Sequence, residues 1–210
     1  MRERLFEGQL YKELQSSAEA TEWAEKHFAD VLHMSLDDPL CHSIRSYTGS
    51  CSDAWNAFLR RSNSKKGSYT KKERDFWGEE LYEIDAIIDF LHQHIIPENL
   101  LVFRYTKLKD IQSLCGKKIL RSKMHFSDKA FFSTTLVKSL LRSFICKKRC
   151  NCVLKLFLPK GVHASYVSVK DEKSILNEQE ILLPPNTKVE ILKVHWFRFP
   201  ILIECKAIIK

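Results

Sequence analysis

Nowhere does this chain hold apolar residues together for the ~20 positions that a membrane-spanning helix needs, so no membrane partner is expected. The opening Met-Arg-Glu-Arg-Leu-Phe-Glu-Gly-Gln also lacks the uninterrupted apolar core of a secretory signal, which leaves export to another route or to a removed segment. Internal repeats, low-complexity tracts and linker-like composition are absent too, and 210 residues fit one domain. Cysteine is neither dense nor even in number: the seven thiols point to a reducing, cytosol-like compartment. Cys146, Cys150 and Cys152 with His163 have no common structural-zinc spacing, so no metal is expected. No flanking motif singles out one cysteine as a nucleophile.

What the chain does contain is a core and a charge imbalance. Hydrophobic content of 44% and aromatic content of 11% indicate a soluble globular protein. Thirty-four basic against 26 acidic residues give +8, which favours an anionic partner or ligand. The charge gathers at Arg60, Arg61, Lys65, Lys66, Lys71, Lys72 and Arg74, and again at Lys147, Lys148 and Arg149. Only Tyr69 offers a stacking ring inside the first group, so nucleic acid is disfavoured and solvated faces are the simpler reading.

The first half reads helical. Ala20, Trp23, Ala24, Phe28, Val31 and Leu32 recur at helical spacing across Ser17 to Met34, with Ser16 or Ser17 as N-cap. A short helix is expected from Cys41 to Tyr47, closed at Thr48-Gly49, then one capped by Ser52 that carries Trp55, Asn56, Phe58 and Leu59. After a basic loop, Phe76 to His94 reads as one long amphipathic helix stopped before Pro97. The second half changes period, with strands expected at Asn99 to Thr106, Ala130 to Leu136, Cys152 to Leu158, Val162 to Val169, Glu180 to Leu183, Lys188 to His195 and Ile201 to Ile209, and a helix at Val137 to Phe144. Helices first and strands afterwards predict an α+β fold: a helical lobe over about 1–96 and a strand-rich core over about 97–210.

One stretch stands out, Ile-Leu-Asn-Glu-Gln-Glu-Ile-Leu-Leu-Pro-Pro at 175–185. In an extended segment Glu178 and Glu180 share a face and Gln179 takes the other. Two adjacent carboxylates in a partly buried site resist double ionisation, which suits acid–base work or stabilisation of a cation. A solvated strand end is the bland alternative. Upstream lie Val-Phe-Arg-Tyr at 102–105 and Phe-Phe-Ser-Thr-Thr at 131–135.

Taken in order, Arg104, Ser133-Thr134-Thr135 and Glu178/Glu180 resemble the mono-ADP-ribosyltransferase toxins and effectors of the arginine–serine–glutamate class, exoenzyme type. The stretch Ile44-Arg45-Ser46-Tyr47-Thr48-Gly49, followed by Trp55-Asn56-Ala57-Phe58-Leu59-Arg60, is similar to the helical segment of those toxins, as is Pro97-Glu98-Asn99-Leu100 to the lead into their first strand. The resemblance implies two packed, mainly antiparallel sheets around an NAD cleft, with NAD as co-substrate and a host protein as acceptor. It implies a monomeric bacterial effector, secreted or injected, acting in the host cytosol. By resemblance Glu180 stabilises the positive charge that develops on the ribose, Glu178 serves the acceptor, and Ser133 holds the glutamate. Arg104, Tyr105, Ser133, Thr134, Arg142, Phe144 and Asn56 would contact NAD, and Ile175, Asn177 and Glu178 would face the target. The Glu-x-Glu form favours arginine as acceptor. Ile175 stands where the family commonly carries an aromatic, which removes the basis for carrying over a known target; Thr135 replaces a serine. The rival reading is an inactive transferase-like binding module that uses its basic face on an acidic protein or nucleic acid.

Overall fold

The structure is a computed structural model and describes residues 1–62, 66–141, 150–168 and 178–209. It begins not with a helix but with a hairpin, β1 (Arg2–Phe6) and β2 (Gln9–Glu13), turned by Glu7 and Gly8, both at positive φ. The alternation expected of a strand is hidden here because β1 lies at an edge with nearly every side chain exposed.

Helix α1 (Ser17–His27) is capped by Ser16, whose hydroxyl accepts from the Glu19 backbone. The apolar pattern that continues to Met34 is interrupted at Phe28, which leaves the helical region, and resumes as the single turn α2 (Ala29–Leu32). Asp38 caps α3 (Pro39–Ser46), with proline at its first position where no N–H is needed. This helix does not close at Thr48-Gly49. The chain runs through a π-helical turn at Tyr47–Cys51 directly into α4 (Ser52–Arg61), so Ser52 lies within a continuous helical path and caps nothing. The helix expected from Phe76 to His94 is two helices. A Thr70/Glu73 capping box starts α5 (Lys71–Trp77), and Gly78 at φ 53 ends it before α6 (Glu80–Gln93).

The strand-rich half contains β3 (Leu100–Thr106), helix α7 (Leu108–Cys115), β4 (His125–Ser127), β5 (Phe132–Thr135), β6 (Cys152–Leu158), β7 (Ser165–Tyr166), β8 (Glu180–Leu183), β9 (Lys188–His195) and β10 (Ile201–Ala207). Of the strand expected over Val162 to Val169 only Ser165–Tyr166 is strand among the described residues, and of the helix expected over Val137 to Phe144 a 3-10 turn at Lys138–Leu141 lies within them. Strand order is β4-β9-β10-β6-β3-β5-β8-β7, with β2 carrying β1 alongside β3. The two expected sheets are thus limbs of one network, joined where β3 meets β5 through the single pair Phe103↔Thr135. Most pairings are antiparallel; β10 with β6 and β2 with β3 are parallel. No helix among the described residues is long and apolar enough to cross a membrane.

Strand parity then decides what each face does. Leu101, Phe103 and Tyr105 of β3 join Tyr11, Val153 and Phe157 in a small cluster under the N-terminal hairpin. Leu100 and Val102 face the larger core, shared with Trp23, Ile44, Tyr47 and Trp55 of the helical half. Arg104 follows in the same register and is delivered to that side, near the end of the strand.

Candidate active site

Arg104 sits in a recess of about 300 Å³ that it lines with Arg60, Thr106, Asp110, Asp128 and Phe132. Its Nη1 donates to the Ser133 carbonyl at 2.8 Å, and its guanidinium lies 4.6 Å from the centre of the Phe132 ring. Among the described residues no other hydrogen bond of this side chain is present. Burial draws the Arg104 pKa down, while Tyr47, Asp128 and Glu180 act against that.

The second cation, Arg60, comes from the last turn of α4. Its Nε reaches the Asp128 carboxylate at 3.0 and 3.2 Å and its Nη2 at 2.7 Å, a forked contact that fixes the guanidinium plane. Asp128 is buried and also accepts from the Ala130 backbone at 3.0 Å. Burial alone would raise its pKa, but Arg60 and the backbone donor outweigh this and hold it below the ordinary value. Two guanidinium groups at one recess are donor chemistry suited to a diphosphate.

Beside the recess, β5 and β8 pair with Thr135 opposite Glu180 and Ser133 opposite Leu182. Ser133 and Glu180 therefore occupy the same face, diagonally placed, and the serine side chain hydrogen-bonds the carboxyl. Glu180 is only 5% exposed. Its pKa is pushed up to about 7, first by burial and then by the Glu178 charge, with Ser133 and Arg104 pulling the other way. The carboxyl is thus poised between its two protonation states near neutral pH.

Glu178 and Glu180 do not share a face through a simple pleat. Strand pairing starts at Glu180, and Gln179 is left-handed with φ 48. The Glu178 carbonyl accepts from Thr135 Oγ1 at 2.6 Å and the Gln179 carbonyl from the Leu136 backbone at 2.9 Å, so the turn is tied to the end of β5. Even so, the Glu178 charge reaches Glu180.

Other expected contacts divide. Tyr105 packs into the cluster on the opposite face from Arg104, as alternation along β3 requires, and does not line the recess. Thr134 is buried and gives its hydroxyl to the Ile181 carbonyl at 2.8 Å, a bond within the sheet. Asn56 bridges the two halves: its Nδ2 donates to the Tyr47 hydroxyl and its Oδ1 accepts from the Phe131 backbone, both at 3.1 Å. It shapes the wall instead of presenting a free amide. Arg142, Phe144, Ile175 and Asn177 lie outside the described residues. Arg60 and Asp128 were not expected as site residues; 68 positions separate them, and a basic run gives no sign of which member will meet a buried carboxylate. Among the described residues no three His, Cys, Asp or Glu side chains gather to hold a metal.

Residues 20–198 match the family model described as ADP-ribosyltransferase exoenzyme. Curated protein sequences yielded no significant match. Among solved structures, C3stau2 from S. aureus with NAD is 19% identical at TM-score 0.73, over 95% of this chain and 99% of that one. The Clostridium limosum C3 exoenzyme is 17% identical at TM-score 0.70, over 95% and 98%. BECa, an ADP-ribosylating toxin of a C. perfringens binary enterotoxin, is 20% identical at TM-score 0.63, with 99% of this chain matching 54% of that one.

Proposed function

The chain belongs to the ADP-ribosyltransferase exoenzyme family, and from that premise we propose that it transfers one ADP-ribose from NAD to a protein side chain, with arginine as the favoured acceptor. The observation that carries the reading is the enclosed Glu180 carboxyl, bonded by Ser133 and adjoining the recess of Arg104 and Arg60. Breaking the nicotinamide–ribose bond leaves positive charge on the sugar, as in glycoside hydrolysis. An ionised Glu180 stabilises that charge from a position already fixed by the sheet, so little reorganisation accompanies the reaction. The bonding electron pair leaves with nicotinamide, and the acceptor nitrogen forms the new bond to the sugar carbon while giving up a proton. Glu178, half-buried beside Glu180, is assigned the orientation of that acceptor and the removal of its proton; a guanidinium needs such help because it stays protonated near neutral pH.

Arg104 and Arg60 are assigned the diphosphate, for which a fixed fork of donors is suited. The recess, about 300 Å³, lies at the lower end of ligand-site volumes. The apolar cluster running from Leu14 to Ala207 supports treating residues 1–210 as one transferase domain. We take the acceptor to be a host protein and the chain to be a secreted or injected bacterial effector acting in the host cytosol, in line with the family's description as exoenzymes. The test is incubation of labelled NAD and host lysate with the native chain or Glu180→Ala, followed by mass spectrometry of labelled proteins. Transfer by the native chain alone, onto arginine, supports the reading; equal labelling by both chains overturns it.

A further inference from the structure

Gln179 stands between the two carboxylates, in the left-handed region that costs a residue with a Cβ about 1–2 kcal/mol. Glycine and asparagine are the usual occupants of such a position; glutamine is not. Its side chain explains why it is held there. It is fully enclosed, with 0% exposure, and both ends of its amide are bonded. Oε1 accepts from the Tyr166 hydroxyl at 3.0 Å, and Nε2 donates to Thr21 Oγ1 at 3.1 Å. Tyr166 also shares a hydrogen bond with Ser168, whose Oγ accepts from the Glu180 backbone at 3.0 Å. A ring therefore closes from the Gln179 side chain through Tyr166 and Ser168 to the backbone of the next residue. It ties the turn to β7 and, through Thr21, to α1.

An enclosed amide with every partner supplied is rigid, and losing one partner leaves a buried polar group unsatisfied. The ring consequently keeps residue 179 left-handed, which turns Glu178 out of the pleat that an extended segment would impose. We propose that Gln179 is a positioning residue: anchored on Tyr166 and Thr21, it sets the placement of the Glu178 carboxylate relative to Glu180. This rests on reading those two glutamates as the catalytic pair.

Among the described residues, the groups facing Glu180 are Ser133 on β5, Glu178 ahead of β8, Arg104 on β3 and Tyr47 after α3. Gln179→Met keeps length and bulk but removes both hydrogen bonds; Tyr166→Phe removes one hydroxyl. With the turn relaxed, Glu178 draws away and water reaches Glu180, and both changes lower the midpoint of that carboxyl. For transfer to protein, Gln179→Met is expected to lose about tenfold in kcat with the KM for NAD within about twofold, the scale of a modest misplacement of a reacting group, while NAD hydrolysis without acceptor continues because Glu180 stays in place. The acid limb moves to lower pH, and Tyr166→Phe shifts in the same direction by less. Native kcat and limb in both variants overturn the proposal. A loss that merely tracks the folded fraction, with the limb unmoved, also overturns it. Carbon-13 titration of the Glu180 carboxyl decides the matter without turnover: a lower midpoint in Gln179→Met is expected, and an equal one refutes the placement. A native chain that consumes no NAD counts against the catalytic reading alone, since the titration still judges Gln179.

Discussion

Ser133 and Glu180 lie diagonally across the β5–β8 pair on one face of the sheet, and the serine side chain bonds the enclosed carboxyl. The relationship is a restraint and an electrostatic control together. It fixes where the carboxylate points and favours its charged form against burial and the neighbouring Glu178.

Ser133→Ala removes one of the two influences that lower the Glu180 pKa, so its midpoint moves above about 7. The pH–rate profile for NAD consumption is expected to shift upward, with activity several-fold down at pH 7 and largely restored near pH 8.5. A downward shift would contradict the account.

Burying Glu180 has a stability consequence of definite sign. A carboxyl raised from 4.5 to about 7 favours the folded state below about 4.5, and that contribution is lost as pH rises through 7. Glu180→Gln, uncharged at any pH, is expected to melt several degrees above the native chain at pH 8.5, reflecting up to roughly 3 kcal/mol, with the gap closing toward pH 4.5. Thermal melts across that range check it.

Asp128 works in the opposite direction. Its pKa is held below 3.8, so its contribution is present above that value and disappears as pH falls through the depressed one. Asp128→Asn is expected to lose about 1–3 kcal/mol near neutral pH, moderated because Arg60 is 45% exposed, and to raise the KM for NAD by loosening that guanidinium. As pH falls through that depressed value the stability gap narrows. Denaturant titration at two pH values, with initial rates, measures both.

Glu178→Ala should separate the two halves of the reaction. Slow NAD hydrolysis is retained because Glu180 stays in place, while transfer to protein falls by at least about tenfold. Nicotinamide release and protein labelling in the same reaction give the ratio; an equal loss of both would mean that the roles are divided wrongly.

How much was legible in the chain follows from which interactions are local. Strands β6, β8 and β9 were readable because their apolar runs are bounded by turn residues and interior on at least one face. The β1–β2 hairpin was not, since an edge strand with exposed Arg2, Glu3 and Arg4 has no buried face to impose a pattern. Gly78 was visible, but an apolar stripe continuing on either side hid the break it makes. Tyr105 was linked to the site by adjacency to Arg104, although strand parity alone sends it to the other face. The order of Arg104, Ser133 and Glu180 was readable as a motif. The Arg60–Asp128 fork and the Gln179 ring were not, because each is assembled from positions far apart in sequence.

The central claim is that the Glu180 carboxylate performs the bond-breaking step, and Glu180→Gln isolates it by keeping shape while removing charge. NAD affinity by calorimetry and nicotinamide release should be measured together on the native chain and this variant. The account predicts a Kd within about threefold of native and a fall in release of about a hundredfold or more, the scale of losing one preorganised electrostatic contact. Release within a few-fold of native at unchanged Kd would contradict it.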